Sequence, residues 1–485
     1  MLPKKGYLIP RARNIDYLPS VWNTISKNHP EMLKIHGIKF NCDVLFFEDG
    51  KGIWIYEQKE WNKIAQHLLR YFIHHPNYFS RIHRDQLKTG QALEKAVLTF
   101  LEQLKTGNFT LTKSIKSLFY LQKLWFKYDR INTLPWFVGA EALKDYLYLE
   151  LEKLNIPRVK IVRLFLPRTL SLTTQEELAR YKSALAVKSG KNKKKLARNL
   201  SDKFGWIPFG YDGPLYWDNQ YFEDTLTSLE VKNKKWLKSK IDKILLENFE
   251  LAKEQKNTIN EYELNKYRRL INTVQTLITT ADERKSVHFR IHYAVDLLLR
   301  NISKQTQLTL KELKYLDLVE INLLTKKKKM NILKDLARKR INNVIFVNSK
   351  NGKILEVIIG KKAKQHLSKY TEKISKANEV KGIVGSVGSK SILKGRIRRM
   401  LTAAEASKMK KGEILLTAMT SPDFVPAMRK AAAVVTDEGG LTCHAAIVSR
   451  ELGISSIIGT RIATSIFKDG DLVELDTNKG IVKKI

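Results

Sequence analysis

The sequence predicts a multidomain protein: a large, mostly α-helical N-terminal region followed by a C-terminal α/β domain. Three observations predict it. The 485 residues exceed what one hydrophobic core usually serves. After Trp61, apolar residues recur at three- and four-residue spacing through most of the chain. Glycine is unevenly placed, with 13 in residues 1–380 and 11 in residues 381–485, so a turn-rich segment begins near 370–385. The expected divisions are a small α+β lead segment (1–60), a mostly helical domain (61–350), a linker (351–380) and a compact α/β domain (381–485).

In the lead segment, CDVLFFEDGKGIWIYE (42–57) reads as two strands joined around Asp49-Gly50. EWNKIAQHLLRYF, QALEKAVLTFLEQLK, LTKSIKSLFYLQKLWFKYDRI and EALKDYLYLELEKL then read as helices. A second helical group spans about 223–300, where Tyr267, Leu270, Ile271, Val274, Leu277 and Ile278 form one stripe. Residues 308–324 read as two short helices broken near Asp317, and KILEVIIG (353–360) as a strand. KAKQHLSKYTEKISKAN is expected to be a linker helix. In the last domain, strands are expected at 395–401, 413–419, 432–436, 455–459, 472–476 and 480–485. Helices are expected at 424–431 and 443–453, with a closing hairpin turned by Asn478-Lys479-Gly480.

Composition narrows the function. Apolar residues make up 43% of the chain, which argues against disorder as the main state. Two cysteines, Cys42 and Cys443, exclude a disulfide scaffold and a cysteine-rich zinc site. No apolar run approaches a membrane span and the start has no signal-like h-region, so a cytoplasmic protein without membrane association is expected. The net charge of +38 would attract polyanions. Yet the lysine clusters at 192–196, 232–236 and 325–330 show no aromatic spacing of a stacking platform, and no zinc-finger spacing occurs. The charge therefore reads as lysine-coated surface ahead of a nucleic-acid site.

Most histidines read as core or surface. His67, His74, His75 and His83 lie among aromatics, and His288 and His292, near Glu283, lack an HExxH frame, so no metal is expected. His444 differs. It sits in TDEGGLTCHAAIVSRELG (436–453), a strand, a glycine turn at Gly439-Gly440, Thr442, and then a helix whose first turn holds the histidine. Thr442 can cap that helix. The helix start offers unpaired N–H groups and a positive field that stabilise a phosphoryl group and disfavour the imidazolium. Arg450 is a second candidate for neutralising an oxyanion, although its offset around the helix leaves contact with His444 open. Cys443 reads as a small side chain in a tight place, with a Cys–His catalytic pair as the rival.

KGEILLTAMTSPDFVPAMRKAAAVVTDEGG (411–440), GGLTCHAAIVSRELGISSIIGT (439–460) and ATSIFKDGDLVELDTNKGIV (463–482) come in order over about 100 residues. Together they resemble the mobile, phosphohistidine-bearing swivelling domain of phosphoenolpyruvate-utilising enzymes, the group of phosphoenolpyruvate synthase, pyruvate phosphate dikinase and rifampicin phosphotransferase. The resemblance implies that His444 is the phosphorylated histidine and that Thr442 helps hold the phosphoryl group. It further implies that Gly439 and Gly440 form the turn and that Arg450 is the helix arginine. Cys443 stands where serine is more common, and Ser455 where proline is. The family's swivelling domain carries a phosphoryl group between two sites.

Residues 284–324 are similar to the helical regions that precede the carrier in phosphotransferase-like members. No GxxxxGK[ST] occurs, and Gly205, Gly210 and Gly213 are flanked by prolines and aromatics. With the chain ending at Ile485, no (β/α)₈ barrel is expected. No cofactor-binding motif is found, so ATP or phosphoenolpyruvate with Mg2+ is expected at a partner, an ATP-grasp-like protein. The acceptor would be a small molecule, near Trp136, Trp206, Tyr211 and Trp217 if these line a pocket rather than a core. The rival is an inert scaffold or polyanion-binding protein that retains the swivelling fold.

Overall fold

The computed structural model describes residues 11–13, 35–36, 44–48, 51–55, 58–106, 109–209, 216–341, 344–348, 354–371, 378–400, 403–420, 424–439, 443–460 and 462–485. The N-terminal region is predominantly helical and the C-terminal region is a mixed α/β domain, as the glycine distribution predicts.

Strands β1 (Arg11–Arg13), β2 (Val44–Glu48) and β3 (Lys51–Ile55) belong to one antiparallel sheet, in which β3 pairs with both β1 and β2. Its remaining strands come from far along the chain: β4 (Val344–Asn348) pairs with β2, and β5 (Ile354–Ile359) with β4. Between them lie α1 (Gln58–His74), α2 (Tyr78–Thr106), α3 (Leu111–Leu134), a π-turn at Pro135–Gly139, α4 (Ala140–Glu152) and α5 (Arg158–Phe165). Next come α6 (Leu172–Val187), α7 (Lys193–Phe204), α8 (Asn219–Glu230), α9 (Lys234–Glu261) and α10 (Arg268–Gln305). The short helices α11 (Leu310–Lys314) and α12 (Leu318–Leu323), then α13 (Met330–Ile341), complete the body. Asp317 ends the gap between α11 and α12 by capping α12, in a reciprocal box with Glu320.

Helix α10 is the spine. Its 38 residues span about 57 Å, and it packs against α2, α3 and α4. Apolar Leu270, Val274, Leu277, Ile291 and Leu298 are buried, and so are Thr280, Arg284, His288, His292 and Asp296. His288 and His292 set their rings edge-on to Trp125, with centroids 5.4 and 5.5 Å away. Burial pushes His292 down to about 3, so it is a neutral core residue. A satellite core joins α6 to α9 through Ala184, Leu200, Phe204, Phe222 and Leu237. Trp206 is buried with its indole N–H on Lys203 O at 2.8 Å, and Trp217 stacks on Tyr221. Both serve packing. Gly205 is required there, since a Cβ would stand 2.5 Å from Trp217 O. Tyr211, Gly210, Gly213 and the side chain of Trp136 lie outside the described residues.

His36 is fully buried, with Nε2 3.1 Å from Arg130 O and Nδ1 2.9 Å from Tyr78 Oη. A carbonyl only accepts, so Nε2 carries the proton and Nδ1 accepts from the tyrosine. Burial, reinforced by Arg81 and His67, lowers this imidazole to about 4. Below pH 6.5 the unfolded chain takes up a proton that the folded one refuses, so this stability is present above 6.5 and lost as pH falls to 4. Urea unfolding followed by tryptophan fluorescence is expected to lose up to about 3 kcal/mol from His36 across that window. A His36→Gln variant is expected to flatten the dependence, and an unchanged slope would refute the assignment.

After α14 (Lys361–Thr371), the C-terminal domain builds an eight-stranded sheet in the order β6-β13-β12-β8-β9-β10-β11-β7. These are β6 (Glu379–Lys381), β7 (Ile383–Ser386), β8 (Ile392–Arg399), β9 (Ile414–Thr417), β10 (Ala433–Thr436), β11 (Ser455–Ile458), β12 (Leu472–Asp476) and β13 (Ile481–Lys484). Strands β8 to β11 run parallel, and β9, β10 and β11 are buried throughout, as strands covered on both faces must be. The covering helices are α15 (Val425–Met428), α16 (His444–Glu451) and α17 (Ala463–Ile466). The two ends of the strand order are β6 and β7, one segment bent at Gly382, which gives the sheet a barrel-like closure.

Candidate functional site

The carboxyl ends of neighbouring parallel strands are where open α/β sheets place ligands. Here β9 and β10 end in register, with Thr417 opposite Thr436. The hydroxyl of Thr417 donates to Met419 O at 3.1 Å and that of Thr436 to Glu438 O at 2.7 Å, so each strand exits in a tight threonine turn. Glu438 N bonds Ala418 O at 2.8 Å, joining the two exits. Gly439 then adopts φ +120°, and a Cβ there would stand 2.6 Å from Cys443 Sγ. Only glycine suits both demands. Gly440 and Thr442 lie outside the described residues.

Helix α16 begins at His444. The N-cap position is Cys443, with extended ψ of 162°, rather than Thr442 as the capping preference of threonine suggests. Cys443 closes no side-chain cap bond. Burial pushes its thiol up, while the amides of Ala446 and Ala445 oppose the shift. It stays a thiol, which disfavours the Cys–His pair.

His444 is partly exposed, and its Nδ1 lies 2.8 Å from Thr420 Oγ1. Sequence reasoning missed Thr420. The loop TAMTSPD offers three hydroxyl residues, and nothing local distinguishes Thr420 from Thr417 or Ser421. Arg450 donates from Nε to Gly385 O on β7 at 3.0 Å, and its charge also acts on the Cys443 thiol. The structure thus brings His444, Cys443 and Gly439 to one mouth, while Arg450 braces the helix on the sheet.

A buried carboxylate anchors the turn. Asp437 accepts from Thr460 Oγ1 and Thr464 N, each at 3.1 Å, and from Thr464 Oγ1. Burial raises its carboxyl, and these threonine hydrogen bonds hold against the rise. Ser455 also finds a local role, since its hydroxyl donates to Val387 O at 2.7 Å and Lys390 O at 3.0 Å. Among the described residues, no three His, Cys, Asp or Glu side chains gather as metal ligands, and no helix is long and apolar enough to cross a membrane.

Residues 409–480 match the family model "PEP-utilising enzyme, mobile domain". The chain is 51% identical over 112 residues to a "Probable phosphoenolpyruvate synthase" of Archaeoglobus fulgidus, which is 23% of this chain and 15% of that protein. It is 52% identical over 104 residues to the phosphoenolpyruvate synthase of Aeropyrum pernix, 21% of this chain and 12% of that one. A chondramide synthase of Chondromyces crocatus is 40% identical over 108 residues, 3% of its length. The chain therefore spans a minor part of each of these relatives. A chain of holo aconitase X from Thermococcus kodakaraensis shares 14% identity at a TM-score of 0.19, too slight a likeness to bear on function. The C-terminal ~100 residues thus match the mobile phosphohistidine domain of phosphoenolpyruvate-utilising enzymes.

Proposed function

We propose that the C-terminal domain is a phosphoryl carrier, loaded on His444 by a donor bound to a separate protein and unloaded onto a small-molecule acceptor. The observation that carries the reading is the imidazole at the first position of α16, steadied at Nδ1 by Thr420. With the proton on Nδ1 and donated to Thr420 Oγ1, Nε2 keeps the lone pair that attacks phosphorus. The N–P bond forms as the donor's P–O bond breaks, and the leaving oxygen takes the electron pair. In the second step an acceptor oxygen attacks phosphorus, and the pair of the N–P bond returns to Nε2. Amides at the start of α16 stabilise the phosphoryl charge in both steps. ATP or phosphoenolpyruvate is the donor class, and any Mg2+ that accompanies it belongs with the donor's own site.

The test is incubation with labelled phosphoenolpyruvate, or ATP labelled at its β or γ phosphate, with and without separately purified ATP-binding proteins. Acid-labile, base-stable label on the chain supports the reading. Absence of label with every donor and partner refutes it. Thr420→Val is expected to slow labelling about tenfold, the equivalent of one hydrogen bond of roughly 1.4 kcal/mol. Thr420→Ser is expected to restore most of the rate. Equal rates in the valine variant and the parent would remove Thr420 from the site.

A further inference from the structure

Two lysine stretches lie about forty residues apart in the sequence, and the fold joins them. Residues 178–201 contain no Asp or Glu, and neither do residues 231–241. The first stretch turns from α6 into α7 through a fixed loop, with Lys191 N on Ala186 O at 3.1 Å and Gly190 at φ +88°. Lys193 at the start of α7 reaches across to the end of α8, where Nζ bonds Glu230 Oε2 at 2.8 Å and Thr227 Oγ1 at 3.1 Å. Three residues after Glu230, Asn233 caps α9 and begins the second stretch. Trp236 of α9 then packs edge-on to Tyr181 of α6, with ring centroids 5.8 Å apart. One end of the α6–α9 unit therefore carries Lys191, Lys194, Lys195, Lys232, Lys234 and Lys235, all exposed. Glu230, the acid placed among them, is engaged by Lys193.

We propose that this lysine surface binds single-stranded nucleic acid through its phosphate backbone. A cluster this dense, with its nearest carboxylate already paired, is complementary to a chain of closely spaced negative charges. The excess extends well past the cluster, since residues 1–380 carry +31 of the total +38. A compact acidic peptide would neutralise the cluster alone, whereas an extended polyanion also gains from the surrounding charge. A lipid surface is less well matched, because Val231 and the partly exposed Trp236 are a small apolar area to insert beside these lysines. Trp236 favours a single strand over a duplex. It is partly exposed among the lysines, with Lys232 Nζ and Lys240 Nζ 5.6 and 5.3 Å from its ring centre. Both ammonium groups lie over the ring, so a base that stacks there displaces them towards its own phosphates. The sequence alone shows separate clusters, and only the packing of α7 on α8 makes one surface of them.

The test uses the full chain and a fluorescent 30-nucleotide RNA, read by anisotropy over a salt series. A variant with Lys194, Lys195, Lys234 and Lys235 changed to Gln is compared with one in which Lys410, Lys411, Lys468 and Lys483 are changed to Gln. Both lose the same formal charge. The first is expected to bind at least tenfold more weakly, with its salt slope reduced by about 3, at roughly 0.7 for each phosphate no longer neutralised. The second is expected to change affinity less than twofold. Equal losses in the two variants would overturn the site, because the charge coat as a whole would then be responsible. Tighter binding of duplex DNA, or binding of anionic vesicles without binding of RNA, would also overturn it. His444 labelling is read in the same variants and is expected to be unchanged, so this proposal and the carrier reading fail independently.

Discussion

In His444→Ala, acid-labile label is expected to fall to background with every donor that labels the parent chain. The expectation follows from bond chemistry. Only a nitrogen-bound phosphoryl group combines acid lability with stability in base, and the mouth of α16 presents one imidazole. Among the other histidines, His36 and His292 are buried, and burial lowers both. The substitution leaves the fold largely untouched. Position 444 is the first of the helix and partly exposed, and alanine is a good helix former, so a cost below about 1 kcal/mol is expected. Residual label of the same stability in His444→Ala would move the acceptor to another histidine and end the carrier reading for this site. Label that survives acid but not base would instead indicate a hydroxyl ester, with Thr420 the neighbouring candidate.

Much of this site is legible in the sequence, and the divide between what is legible and what is not is physical. Local signals survive in one dimension. Gly439 has to be glycine because of its own φ and a neighbour four residues away. Asp317 marks the break between two helices because a cap reaches only to its own first turn. The hairpin around residues 478–480 is likewise a short-range matter, with Asp476 Oδ1 accepting from Asn478 N and Lys479 N. Long-range partners leave no such mark. Thr420 meets His444 across 24 residues because two parallel strands end side by side. The β2–β4 pairing joins residues about 300 apart, so the lead segment shares a sheet with β4 and with β5 of the expected linker, which no periodicity shows. The lysine surface is of the same kind, since Lys193 finds Glu230 only once α7 packs on α8. Arg450 marks a third limit: its residue type gives the charge, while the bond of its Nε to Gly385 O depends on how the helix packs on the sheet.

Gly382→Val is expected to destabilise the C-terminal domain by about 3 kcal/mol, at the upper end of overpacking costs. Gly382 is the bend between β6 and β7, so it sits where the two ends of the sheet meet. A Cβ at this position would lie 2.7 Å from both Ile457 Cγ2 and Ile458 O, and 2.9 Å from Thr460 Cγ2. The side chains could shift, but Ile458 O is backbone of β11 and cannot retreat without disturbing its pairing with β7. On the other side, Gly382 N donates to Gly480 O at 2.8 Å, and a Cβ on Gly480 would stand 2.5 Å from Gly382 O. Neither strand has room to relax the other. The effect should be confined to one domain, and the sequence supplies the means to see this. All eight tryptophans precede residue 240, and residues 379–485 contain neither tryptophan nor tyrosine. Tryptophan-detected unfolding of the helical body should therefore be unchanged, while hydrogen exchange within 379–485 rises by about two orders of magnitude, the factor that 3 kcal/mol implies. Parent-like protection in 379–485 would mean that the sheet does not close through Gly382. Faster exchange accompanied by an equal loss in the helical body would mean that the two regions unfold as one.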